Sequence, residues 1–362
     1  MTGRTVRPIC RAGMTLDPIL PRRPVLLGLG ALSLPRIGRA QAPLDAALQG
    51  AASLPRLHAV NVAQDGATLA ERRLRGPAIE AAVNIKSASK SLLSVLVGCA
   101  IERGVLRGLD QPVAPILRAS IPGGTDPRVE AITIGNLLTM RAGLERTSGP
   151  NFGAWASSPD PVRYALTRPF LDDPGTAMGY STGATHVLGA ALSHAAGRPL
   201  LDLMRDWLGE PLGIAIPPWI RDPQGRYIGG NDMRLAPRAL LRVGEMMRAG
   251  GVYAGRRVVS ADWVRESWTP RTRSPWSGQL YGYGWWIAVA SGHPVSFAWG
   301  YGGQMLYVVP DMRLTVVMTS DPNAPRDPVH MAGLHGLMAD GIMPALGAVR
   351  TEGSERLAVP EG

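Results

Sequence analysis

An α+β protein is what the local patterns of this chain predict: an antiparallel sheet built from both chain ends, flanked by helices, with a mainly helical part between. Three observations carry this. Two strand-like runs surround Asp65-Gly66 near the start. A second series of strand-like runs, separated by turn residues, fills residues 281–320. Residues 105–270 between them read mainly as helices and loops. Sheet faces and helix stripes must bury one another, so pairing the two ends over a helical insert is the economical assembly.

Taken in order, His58-Ala59-Val60-Asn61-Val62 is strand-like, Asp65-Gly66 is a hairpin signal, and Ala67 to Leu74 returns. Ala81 to Ile85 reads as a short edge or a lead-in to a helix over 89–103. That helix carries Leu92, Leu93, Val95, Leu96, Val97, Cys99, Ala100 and Ile101 and stops at Gly104. Ile132 to Met140 has a capped helix start and ends by Gly143. His186 to Ala196 and Pro199 to Leu208 are helical and broken at Gly197. Pro237 to Ala249 has proline at its start and Gly250-Gly251 at its end. Ala261 to Trp268 is a further short helix. Strands follow at Tyr283 to Val289, Val295 to Trp299, Gln304 to Val309 and Leu314 to Ser320, with turns at Ser291-Gly292, Gly302-Gly303 and Pro310-Asp311. Pro328 to Met343 closes the series as a helix. One domain over 43–350 results, its α/β part at 50–105 and 275–345 and its helical part at 106–274, with a tail over 351–362.

With 45% hydrophobic and 18% charged residues the chain is globular in composition. Its net charge of +10 is not a nucleic-acid signal. Arg4, Arg7, Arg11, Arg22, Arg23, Arg36 and Arg39 face only Asp17 within residues 1–42, leaving +4 for the rest, and no basic run is interleaved with aromatics. That first stretch reads as an export signal of twin-arginine type. Arg22-Arg23 precedes the apolar run Val25 to Leu34, and Ala40-Gln41-Ala42 gives a small-residue cut site, although Pro43 follows it. Met14 is an alternative start. The run is too short to span a bilayer, so no stable membrane insertion is expected. A periplasmic or secreted location follows from this reading, and a cytoplasmic one if the leader does not function. Cys10 and Cys99 show no zinc spacing with histidine, and no cofactor is expected.

The chemistry centres on Ser87-Ala88-Ser89-Lys90, an S-x-x-K spacing. The chain holds 38 Lys+Arg, of which only Lys86 and Lys90 are lysine. Arginine cannot be deprotonated in a protein, whereas lysine can shift its pKa and pass protons, so position 90 calls for an amine. At the start of a helix, Ser87 meets unpaired N–H groups, and Lys90 lies one turn on along the same face. An N-cap serine before a solvated lysine has the same spacing, so partners decide. A serine nucleophile needs a base and an oxyanion hole. Tyr180, in Asp173-Pro174-Gly175-Thr176-Ala177-Met178-Gly179-Tyr180-Ser181-Thr182, stands on a Gly-rich loop before a helix, where nearby cations are expected to lower its pKa and make it a base. Trp299-Gly300-Tyr301-Gly302-Gly303-Gln304 offers backbone that can approach a ligand closely.

Together these stretches resemble the serine β-lactamase and penicillin-binding-protein superfamily, nearest its class C-like branch of esterases, D-amino-acid peptidases and nylon-oligomer hydrolases. Asn136 to Leu144, Gly230 to Arg238 and Tyr283-Gly284-Trp285-Trp286 support the likeness, which covers residues 55–345. The resemblance implies a β-lactamase/transpeptidase-like fold, Ser87 as nucleophile, Lys90 as its proton partner, and Tyr180 as the tyrosine of Y-x-N, acting as phenolate. It implies an oxyanion hole from the N–H groups of Ser87 and Tyr301, with Gly300-Tyr301-Gly302 in the place of K/H-T-G. Thr182 stands where the family usually has asparagine, and Gly300-Tyr301 replaces a pair that holds the carboxylate of β-lactams. Trp155, Trp285, Trp286 and Trp299 are candidates to line an acyl pocket, although core packing is the commoner use of each.

The expected function is a serine hydrolase of S-x-x-K type cleaving a small ester or amide through an acyl-Ser87 intermediate. Alternatives are a D,D-peptidase or β-lactamase of the same chemistry, and a penicillin-recognising binding protein without turnover. A Ser-His-Asp triad ranks low because G-x-S-x-G is absent. Oligomeric state is not legible.

Overall fold

A computed structural model describes residues 37–347. Its main sheet has eight strands in the order β2-β1-β12-β11-β10-β9-β8-β7. These are β1 (Leu57–Gln64), β2 (Ala67–Arg73), β7 (Thr272–Arg273), β8 (Leu280–Tyr281), β9 (Trp286–Ala290), β10 (His293–Gly300), β11 (Gln304–Val309) and β12 (Leu314–Ser320). Every neighbouring pair is antiparallel. The two chain ends meet where β1 pairs with β12, Val62 opposite Val316. Two short antiparallel pairs stand apart: β3 (Val83–Asn84) with β4 (Arg234–Leu235), distant in sequence, and the hairpin β5 (Val252–Tyr253) with β6 (Arg256–Arg257).

The helices are α1 (Ile37–Gly50), α2 (Ser89–Glu102), α3 (Ile134–Leu138), α4 (Phe152–Ala156), α5 (Pro161–Leu166), α6 (Thr182–Ala196), α7 (Leu200–Met204), α8 (Glu210–Leu212), α9 (Pro237–Arg248), α10 (Ala261–Ser267) and α11 (Pro328–Gly336). Both faces of the sheet are covered, which explains why β11 and β12 are buried at every position rather than at alternate ones. Leu306, Val308 and Val317 join the core formed with α2 and α9. Met305, Tyr307, Val316 and Met318 point the other way, into a core with Leu44 and Leu48 of α1 and Leu334 of α11. The helix α2 is buried from Ser89 to Ala100. Full burial of Leu92, Leu93 and Leu96 stabilises it by roughly 1.5–3 kcal/mol per side chain.

Several elements are bounded differently from the expected runs. The boundary at 42/43 falls inside α1, which carries Pro43 and buries Leu44 and Leu48; residues 1–36 and the tail 351–362 lie outside the described residues. Within Ala81 to Ile85, as expected, lies a short strand, β3, which pairs with β4 and leads into α2. The first run of the closing series starts its strand at Trp286, not Tyr283. Gly284 turns the chain at φ 74, and a Cβ there would lie 2.8 Å from the Lys90 carbonyl oxygen. Its own carbonyl accepts the Ser91 hydroxyl at 2.6 Å, tying this segment to α2. The helical part also yields β7, so the main sheet reaches back to Thr272. Finally α6 begins at Thr182, with Ser181 as its N-cap accepting from the Ala184 N–H.

Candidate active site

Ser87 sits at a forced junction. The Ile85 N–H donates to the Met233 carbonyl at 2.9 Å, extending the β3–β4 pair. Lys86 then turns left-handed at φ 50, a conformation costing a lysine about 1 kcal/mol or more. A single 3-10 turn, Lys86–Ala88, leads into α2. The nearby Ser89 is fully buried, donates to the Lys86 carbonyl and accepts from the Met233 N–H. Its hydroxyl is therefore used by the fold, and Ser87 is the serine left facing the site.

Lys90 is buried, with its Nζ donating to Ser87 Oγ at 3.0 Å and to the Gly230 carbonyl at 2.9 Å. Thr182 Oγ1 lies 3.5 Å away. Burial lowers the amine to a pKa of about 7, against the opposing pull of the Asp232 carboxylate. Tyr180 faces the same serine, with Lys90 Nζ 5.2 Å from its ring centroid. Its phenol is pushed up to about 12 by burial, only partly offset by its hydrogen bond with Ser87. This reverses the expected phenolate. Burial disfavours the charged form of both groups, raising the phenol and lowering the amine, so the amine is the group that loses its proton near neutrality.

An aromatic wall adjoins Tyr180. Trp286 stacks on it at 5.6 Å between centroids, and Trp299 lies 5.6 Å from Trp286. The other two tryptophans do not join them. Trp155 donates to the Pro161 carbonyl inside the helical part, and fully buried Trp285 packs edge-on to Trp268. The β10–β11 turn closes the site from the sheet side. A Cβ on Gly300 would lie 2.2 Å from the Ile85 carbonyl oxygen, so only glycine lets the turn approach the serine segment. Tyr301 follows, half exposed, and Gly302 turns at φ 78.

Four contributors went unread in the sequence. Ser148 Oγ lies 3.0 Å from Thr182 Oγ1 and accepts the Thr182 N–H at 2.9 Å, so the threonine hydroxyl is engaged. Asn231 Oδ1 accepts from Ser87 Oγ at 3.4 Å. Asp232 accepts from Asn231 Nδ2 at 2.7 Å and pairs with Lys86 Nζ at 3.3 Å. Gly230 to Arg238 supported the family likeness without any role being assigned to Asn231 or Asp232; Asn84 donating to Asp232 at 2.8 Å completes the set. Among the described residues no cluster of His, Cys, Asp or Glu could hold a metal ion.

A serine hydroxyl held by a buried amine, faced by a phenol, beside a glycine-hinged strand turn defines a serine acyl-transfer site of S-x-x-K type. The beta-lactamase family model matches residues 58–337, and the chain belongs to that family of serine hydrolases. D-alanyl-D-alanine-carboxypeptidase/endopeptidase AmpH of Escherichia coli (strain K12) is 26% identical over 189 residues, 49% of this chain and 47% of its own. The chain thus spans about half the length of that relative. Among solved structures, EstCE1, a hydrolase with promiscuous acyltransferase activity, matches with a TM-score of 0.66 at 18% identity over 86% of this chain and 98% of that one. A family VIII carboxylesterase matches with a TM-score of 0.64 at 16% identity over 85% and 98%. At these identities the structural matches establish the fold.

Proposed function

We propose that this chain is a serine hydrolase that cleaves a small ester or amide through an acyl-Ser87 intermediate. The observation that carries the reading is the 3.0 Å bond between Ser87 Oγ and a lysine amine whose pKa is lowered to about 7. Neutral Lys90 takes the Ser87 proton as Oγ bonds to the substrate carbonyl carbon. The carbonyl oxygen becomes an oxyanion facing the N–H groups of Ser87 and Tyr301, each donor worth about 3 kcal/mol. Collapse of this intermediate breaks the bond to the leaving group. Tyr180, still protonated, gives its proton to that group and recovers one from Lys90. Water then repeats the sequence on the acyl ester, releasing the acid and restoring Ser87. Trp286 and Trp299 offer an apolar wall for the acyl chain, and the Thr182 hydroxyl and the Gly300–Gly302 backbone border the cleft. A serine-directed fluorophosphonate tests the reading: the adduct maps to the peptide holding Ser87, and an adduct on Ser89 or Ser181 alone overturns it.

Short-chain aryl esters are the preferred class over β-lactams. The turn that faces Ser87 presents Gly300-Tyr301 and no cation for a carboxylate, and the Thr182 hydroxyl is already bonded to Ser148. The expected kcat/KM for a nitrophenyl ester exceeds that for a chromogenic cephalosporin by about tenfold or more, some 1.4 kcal/mol. A cephalosporin advantage of that size would instead favour the β-lactamase or D,D-peptidase reading, the latter supported by the name of the Escherichia coli relative.

The proton inventory also gives a pH profile. A base must be unprotonated to act, so kcat/KM rises as pH increases through the Lys90 value of about 7. A phenolate base would place the rise far higher, near the Tyr180 value of about 12. A rate profile from pH 5 to 10 separates the two. Export is proposed on the leader residues alone, Arg22-Arg23 before Val25–Leu34. An intact N-terminus at Met1 or Met14, found only in the cytosolic fraction, overturns it.

A further inference from the structure

Asp232 is the hub of a second polar set that the acyl-transfer scheme leaves unused. Its Oδ1 accepts from Asn84 Nδ2 at 2.8 Å and from Lys86 Nζ at 3.3 Å. Its Oδ2 accepts from Asn231 Nδ2 at 2.7 Å. A carboxylate can only accept, so Asn231 must turn its amino group toward Asp232 and its carbonyl toward Ser87. Ser87 Oγ then sits between Lys90 Nζ at 3.0 Å and Asn231 Oδ1 at 3.4 Å: the hydroxyl rests on the longer contact while the amine is protonated and donates to Oγ, and it turns its proton to the nearer Lys90 nitrogen once that amine is neutral. The Lys86 N–H closes the set by donating to Asn84 Oδ1 at 2.8 Å.

Backbone geometry points the same way. Lys86 and Asp232, the two ends of the ion pair, both adopt left-handed conformations at φ 50 and φ 58 without being glycine. Strain of this kind persists only where surrounding structure enforces it, and it concentrates at functional sites. Here it brings the side chains of residues 84, 86, 231 and 232 to one place beside the nucleophile.

We propose that Asn84, Lys86, Asp232 and Asn231 form a brace that fixes the Ser87 hydroxyl and sets the charge facing Lys90, making Asp232 a positioning residue of the acyl-transfer site. This rests on the reading of Ser87 as nucleophile and Lys90 as base. The ionisable groups around Lys90 are few among the described residues. Asp232 and Lys86 flank it from the side of the β3–β4 pair, and Tyr180, backed by Tyr281, faces it from just before α6. The buried pair of His186 and Asp222 lies behind Gly229, whose N–H donates to His186 Nδ1. Asp232 is the charge that favours the Lys90 cation. Lys86 partly cancels it. Removing one or the other therefore shifts the amine in opposite directions.

The test is the acid limb of the kcat/KM profile for a nitrophenyl ester, read beside circular dichroism and fluorophosphonate labelling. Asp232→Asn loses the anion, so the limb moves to lower pH by about half a unit or more, and kcat falls about tenfold or more while KM changes little. Lys86→Met leaves Asp232 uncompensated, so the limb moves to higher pH. Lys86→Arg restores the charge and returns the limb toward wild type. Limbs that coincide with wild type, or that move in the same direction in the Asn and Met variants, overturn the brace. Should Asp232→Asn not fold, the Lys86→Met and Lys86→Arg pair still decides: identical limbs overturn it. Labelling of wild type separates the premises. An enzyme labelled at Ser87 whose limbs do not move refutes the brace alone, whereas one not labelled at Ser87 refutes the acyl-Ser87 scheme and the brace with it.

Discussion

Lys90→Arg lowers kcat/KM about a thousandfold or more, whereas Lys86→Arg costs no more than about tenfold. Both variants keep the formal charge, so the difference isolates what an amine does at each place. At position 90 the amine is buried against Ser87 Oγ, the Gly230 carbonyl and Thr182 Oγ1. Arginine is longer, planar and permanently protonated, so it neither fits that pocket nor accepts the serine proton. Lys86 is partly exposed and bridges Asp232, a contact that a guanidinium can remake. Circular dichroism and ester turnover on the two purified variants check this. Equal activities would reduce Lys90 to a source of charge and remove the proton transfer from the scheme.

Tyr180→Phe retains the fold and loses about 10²–10⁴-fold in turnover. Phenylalanine preserves the stacking on Trp286 and the edge contact with Tyr281, so the melting temperature should hardly move. The missing atom is the phenol that faces Ser87. Because burial keeps that phenol protonated, its loss falls on the delivery of a proton to the leaving group. An aryl ester with a good leaving group should therefore suffer less than an alkyl ester or an amide. Equal losses across leaving groups would reassign the tyrosine to orienting Ser87, and unchanged turnover would assign it to packing.

Much of this site was legible because its residue types are unusual for the chain. Lysine occurs only at 86 and 90, and S-x-x-K at the head of an apolar helix is a local pattern; both survive into the structure. The β1–β2 hairpin and the closing meander were legible for the same reason, since Asp65-Gly66 and Gly302-Gly303 are turn chemistry. What escaped depends on distant neighbours. The direction of the Tyr180 shift follows from burial beside Trp286, which lies far along the chain. Asn231 and Asp232 acquire meaning only because β4 pairs with β3 and brings them to Ser87. The helix that buries Leu44 and Leu48 was not read in the sequence, where Pro43 and the cut-site pattern at Ala40-Gln41-Ala42 drew attention instead. Tyr283-Gly284-Trp285 read as strand from aromatic content, but the chain turns at Gly284 to meet Ser91.

The pairing of β1 with β12 has a consequence for how the molecule comes into being. Gln64 finds its partner in Leu314 and Leu57 in Ser320, so β2 and β1 are joined to the rest of the sheet by a ladder between its first and last strands in sequence. Loop closure over such a distance must precede the contacts that reward it, which places this chain among slow folders. During synthesis the hairpin β1–β2 and the helix α2 emerge early, yet the apolar face that α2 rests on is not made until β10 to β12 have left the ribosome. The serine and lysine are thus translated long before the turn at Gly300–Gly302 arrives to enclose them. A nascent chain carries the reactive pair without the pocket, and its exposed apolar strands need shielding until the last one docks.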